Sequence, residues 1–136
     1  MGKVKSPLIR ALQNFFAKAA QIRHASMTLD ATKKLLEEAE TSLFDTTELQ
    51  AGIYVMEEEI AETRKWISER QAGIEQLIGQ FDSIDAKTYA RLHYVSGLQW
   101  CEVSQLSGLN EDAVKKKVYR ELQKFTINDF QGGKTR

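Results

Sequence analysis

The sequence predicts an all-α chain, and three observations carry that reading. A single proline and eight glycines in 136 residues leave room for long, uninterrupted helices. No run alternates β-branched and polar residues in the way that half-buried strands require. Apolar residues instead recur at three- and four-residue steps over most of the length. The expected architecture is a set of long N-terminal helices, with a pattern that suits a coiled coil, followed by a C-terminal helix-turn-helix.

The first helix is expected over 6–27. Ser6-Pro7 gives a cap followed by proline at the first helical position. Leu8, Leu12, Phe15, Ala19 and Ile22 then form a stripe that Ile9 and Phe16 widen, and the face fits packing inside the protein better than a membrane surface. A second segment, Asp30 to Leu43, places Leu35, Leu36, Ala39 and Leu43 together. Asp45 then reads as an N-cap, Glu48 completes a capping box, and Phe44 with Leu49 makes the staple around it.

The longest element runs from there to about Phe81. Ile53, Ile60, Ile67, Ile74 and Phe81 recur every seven residues, while Leu49, Met56, Thr63, Arg70 and Leu77 fill the complementary seam. Such a pattern suits a homodimer through residues 49–81. It suits equally an intramolecular bundle that buries the stripe on the N-terminal helices, since Thr63 and Arg70 weaken the seam. Glu57-Glu58-Glu59 reads as a solvated face, for no Glu-x-x-His partner is present to build a carboxylate metal site.

Residues 84–125 carry the strongest local signal. Gly97 ends one short helix and Gly108 sits in a tight turn between two more. Ile84, Leu92 and Val95 mark an apolar face before Gly97. Leu98, Val103, Leu106, Leu109, Val114, Val118, Leu122 and Phe125 follow at spacings that point two helices inward. In Ser107-Gly108-Leu109-Asn110 a small residue and a glycine permit the reversal, Leu109 fills the gap and Asn110 caps the next helix. That helix shows Lys115, Lys116, Lys117, Arg120 and Lys124 to solvent, a basic face that suits the DNA major groove. Those five cations would reach phosphates, and base reading would fall to Asn110, Glu111, Asp112, Lys115, Lys116 and Tyr119.

The run ARLHYVSGLQWCEVSQLSGLNEDAVKKKVYRELQKF resembles the C-terminal, −35-reading domain of bacterial sigma factors. More narrowly it is similar to the sigma-like regulators of phages of Gram-positive bacteria, of the ArpU and RinA type, over about a third of the chain. Two positions depart from that pattern. Gln99 stands where a Ser or Thr cap is usual, and Ser104 stands where alanine is preferred. The resemblance implies a sequence-specific, double-stranded-DNA-binding transcription regulator of phage or prophage late genes, in the cytoplasm of a bacterial host, with RNA polymerase as a further partner. It also implies three regions: 1–81 for oligomerisation or partner binding, 82–125 for DNA, and 126–136 as a flexible tail. Two other classes fit the same elements, a small-terminase-like DNA-packaging subunit and a module that binds RNA polymerase or an inhibitor.

The formal net charge is zero, but it is unevenly spread. Residues 1–34 hold seven Lys/Arg and one acid, residues 35–85 three and thirteen, and residues 86–136 nine and five. No glycine-rich phosphate loop, nucleophile elbow or Cys/His constellation occurs, so the reading is of a non-enzyme with no cofactor or metal. His24 has no ligand-type neighbour, and His93 is expected at the surface, near phosphate. The lone Cys101 excludes an internal disulfide and is expected to be a packed, unreactive thiol. Trp66 and Trp100 are expected in a core or interface. No apolar run is long enough to span a bilayer, and the charged N-terminal segment makes a poor signal peptide.

Overall fold

A computed structural model describes residues 6–41 and 45–127. Among them the chain is all-helical: α1 (Pro7–Glu40), α2 (Thr47–Gly79), α3 (Ile84–Ala90) running into a π-helical turn (Arg91–Val95), α4 (Trp100–Ser107) and α5 (Glu111–Leu122).

Two expected N-terminal helices are one. The break anticipated between residues 27 and 30 is absent, because no glycine or proline interrupts α1 after Pro7. Thr28 stays helical, and its carbonyl accepts the Thr32 hydroxyl at 2.8 Å. The start is as the sequence indicates, with the Ser6 hydroxyl accepting the Ile9 amide at 3.1 Å. At the start of α2 the cap lies one residue further on. Asp45 accepts the amide and hydroxyl of Thr47, at 3.0 and 2.7 Å, and the first helical bond runs from Gln50 N–H to the Thr46 carbonyl. The staple proposed for Phe44 lies outside the described residues.

The chain forms two compact units, residues 18–67 and residues 1–17 with 68–136, so that α1 and α2 each contribute to both. The sequence boundary at 81/82 falls in the link between α2 and α3.

In the 18–67 unit, α1 and α2 run antiparallel. Lys33 pairs with Glu57 at 2.8 Å, Arg64 donates to the Ser26 hydroxyl at 2.7 Å, and the Lys18 ammonium lies 5.4 Å from the Trp66 ring centre, so rising numbers on one helix meet falling numbers on the other. Ile53 and Ile60 are buried with Leu29, flanked by Ile22, Ala25, Leu36, Leu49 and Met56. The stripe at these positions is therefore covered from within the chain, as in the bundle alternative, and burial rather than propensity holds the hairpin together. Ile67, where the units change over, is only half-buried.

In the second unit the buried residues come from every helix: Leu8, Leu12 and Phe15 of α1, Ile74, Leu77 and Ile78 of α2, Ala86 and Ala90 of α3, and Val103, Val114, Val118 and Leu122 of α4 and α5, joined by Phe81 of the α2–α3 link and Tyr94 of the π-helical turn. Phe81 and Phe125 stack at 6.1 Å. Two residues assigned to inward faces point outward: Ile84 is 75% exposed and Leu106 68% exposed. Alanines at 86 and 90 make the contact surface of α3, leaving Ile84 outside it. On α4, Val103 alone is fully enclosed, and Leu106, about 60° around the helix from it, lies beyond that cover.

Candidate nucleic-acid interface

The reversal between α4 and α5 is built from its own polar groups. Gly108 adopts φ +80°, a left-handed conformation that disfavours side chains, and its amide donates to the Ser104 carbonyl at 3.0 Å. Ser104, which stands where alanine is preferred, ties the turn: its hydroxyl donates to the Leu109 carbonyl. The Ser107 hydroxyl donates to the Ser104 carbonyl and accepts the Leu109 amide, both at 3.1 Å. Asn110 caps α5 as expected, its Oδ1 accepting the Ala113 amide at 2.8 Å. The entry to α4 compensates for Gln99 by another route, since the Glu102 carboxylate accepts the Gln99 amide at 2.7 Å.

Val114, Val118, Glu121 and Leu122 form the buried side of α5. Helical geometry then sends Asp112, Lys116 and Arg120 outward, all exposed, with Lys115, Lys117 and Tyr119 at the margins and half-buried. Glu111 and Asn110 are exposed at the first turn.

The nine residues singled out in the sequence are not equivalent. Lys115 pairs with Glu111 at 3.4 Å, one turn away. Lys124 lies 2.9 Å from Asp82 and 3.3 Å from Glu121, and hydrogen bonding to these carboxylates raises its pKa. Its ammonium is thus engaged in joining the end of α5 to the α2–α3 link. Lys116, Lys117 and Arg120 form no ion pair among the described residues. Asn110 has committed Oδ1 to the cap, leaving its Nδ2 donors for other partners.

Glu121 was not legible as functional, although its place between Val118 and Leu122 puts it on the apolar side of α5. It is buried, accepts the Asp82 amide at 3.0 Å, and meets the Lys124 ammonium. Glu102 had a signal in the sequence, an acid three residues after the cap.

His93 is not at the surface. It is 4% exposed, stacked between Phe16 at 4.1 Å and Trp100 at 3.8 Å, with Tyr94 edge-on at 4.7 Å. Its Nδ1 lies 2.7 Å from the Leu98 carbonyl, which can only accept, so Nδ1 carries the proton. Burial pushes the imidazole down to about 4, with the Leu98 bond opposing and nearby Lys115 assisting. The π-helical turn places this ring in the stack. Gly97, at φ +84°, lets the Leu98 amide reach back to the Leu92 carbonyl at 3.0 Å. Trp100 belongs to this core as expected, and its ring lies edge-on to Tyr119 at 6.3 Å, so the aromatic cluster supports one margin of α5. The buried Tyr94 hydroxyl has no hydrogen-bond partner among the described residues, and burial raises its pKa, with Tyr119 adding to the shift.

Cys101 is exposed, not packed. Trp100, Val103 and Ser107 share the inner side of α4, and residue 101 falls about a third of a turn from it. Among the described residues no cluster of His, Cys, Asp or Glu could hold a metal ion, and no helix is long and apolar enough to cross a membrane. In comparisons with protein-family models, curated proteins and solved structures, nothing matches this chain.

Proposed function

We propose that the protein is a sequence-specific, DNA-binding transcription regulator of the sigma-like kind, acting on phage or prophage late genes in the cytoplasm of a bacterial host. The observation that carries this reading is the pair α4–α5. A tight, internally bonded turn presents a helix whose outer side holds Lys116 and Arg120, with Lys117 at its margin, none of them ion-paired among the described residues. A rigid helix with free cations opposite its buried side suits the major groove, its first turn toward base edges and its cations toward phosphates. No catalytic step enters the proposal. A homodimer through 49–81 does not enter it either, because Ile53 and Ile60 face Leu29 of their own chain.

The test is the salt dependence of binding to duplex DNA selected from a random library. Lys116→Ala with Arg120→Ala should weaken binding to all sequences. The same pair should make the log-affinity versus log-salt slope shallower by about one to two units, close to 0.9 for each phosphate no longer neutralised. Lys124→Ala should leave the slope unchanged while lowering thermal stability, since that ammonium serves Asp82 and Glu121. A double variant with the wild-type slope would overturn the reading. In that event polymerase or inhibitor binding becomes the better account of this module.

A further inference from the structure

The two compact units carry opposite charge. Residues 18–67 hold six Lys/Arg and ten Asp/Glu, a formal −4, whereas the described residues of the other unit hold nine and eight, a formal +1. Half of the acids of the first unit lie on α2, where Glu58, Glu59 and Glu62 are exposed and make no ion pair among the described residues.

Beside Glu59 lies a groove of about 160 Å³ between α1 and α2. Ile22, Ala25, Met56 and Ile60 give it an apolar floor, and Glu59 stands on its rim. Such a groove suits a side chain with an aliphatic stem and a cationic head. The methylenes take the floor while the head meets the carboxylate.

The chain itself displays that chemistry. Lys116 and Arg120 lie one turn apart on the exposed side of α5, and Glu59 and Glu62 lie one turn apart on α2, so two charges on each helix can meet in register. We infer that the groove of the α1–α2 hairpin docks the basic side of α5 from a second copy of the chain, Glu59 and Glu62 receiving Lys116 and Arg120. The acidic rim then stands where the proposed DNA reading places phosphates, so self-association and DNA compete for one helix face. Exposed charges attract across a distance that salt shortens, from about 10 Å at 0.1 M to about 3 Å at 1 M, so this contact belongs to low ionic strength.

The experiment is sedimentation velocity on the full chain without DNA. Wild type should self-associate at about 50 mM salt and do so at least about tenfold more weakly at about 500 mM. Glu59→Lys with Glu62→Lys should abolish association, as should Lys116→Glu with Arg120→Glu; both sets are on exposed positions, and circular dichroism checks the folding of each. Mixing the two reversed proteins should restore a complex, because the basic groove of one meets the acidic α5 of the other. A wild type that is monomeric at low salt overturns the inference. So does association that persists in either reversed protein, or a mixture that does not recombine. Duplex DNA added to the groove variant separates the two readings: binding there depends on an intact α5 alone, so its loss would count against the regulator and not against the self-contact.

Discussion

His93 is held neutral because its charged form would give up water for a slot between two aromatic faces. Folded, its pKa falls to about 4, against the ordinary 6.5. Between those values the unfolded chain binds a proton that the folded chain refuses. Stability contributed by the neutral ring is therefore complete above pH 6.5 and is lost as pH falls toward 4, by at most about 3 kcal/mol. Denaturant unfolding at pH 7 and pH 5 should show this loss. His93→Phe, which keeps a ring between Phe16 and Trp100, should lose less over the same interval; equal losses in the two proteins would mean that titration of this ring does not govern the acid limb. The Cys101 thiol makes the opposite case at the same scale. Its exposure predicts that a thiol reagent labels the native protein at a rate close to that in denaturant, and strong native protection would contradict its position on α4. Neither residue's setting was legible from its type. Cysteine is buried on average and histidine is often exposed, but the register of α4 and the π-helical turn decide each, and a lone sequence gives register only approximately.

At the level of elements, periodicity identified which residues need cover but not what covers them. The seven-residue recurrence of isoleucine in α2 serves an interhelical seam within one chain or between two, and Leu29 on α1 supplies the cover for Ile53 and Ile60. Ile60→Ala should accordingly cost about 2–5 kcal/mol in chemical denaturation, independent of protein concentration. Val55→Ala, at a position 52% exposed, should change stability by no more than about 0.5 kcal/mol. A concentration-dependent loss for Ile60→Ala would point to a seam between chains. Turn chemistry was the most legible feature. Gly97 and Gly108 take positive φ as their places demand, and Asn110 caps α5, because each satisfies a local requirement that needs no distant partner. The false break near residue 28 has the complementary cause: polar residues alone do not end a helix when its neighbours continue the backbone bonding.

For the whole molecule, fold class followed from composition and spacing, while the grouping of helices did not, since it depends on packing between residues far apart in sequence. The candidate DNA-facing residues were chosen from the sequence as one set. Their division into free cations, the Lys115–Glu111 pair and the Lys124 clamp required Asp82 and the buried Glu121, which no motif marks. The unit that holds α3, α4 and α5 also takes in the first turns of α1 and the last turns of α2. This bears on how such a gene can be shuffled. A crossover at residue 82 would export the helix-turn-helix as a cassette, but without Phe16, which lies flat on His93, and without Ile74, Leu77 and Ile78. The inherited module is discontinuous: its two ends must be transmitted together, and the acidic hairpin between them is the segment that recombination can exchange while leaving the α5 scaffold whole.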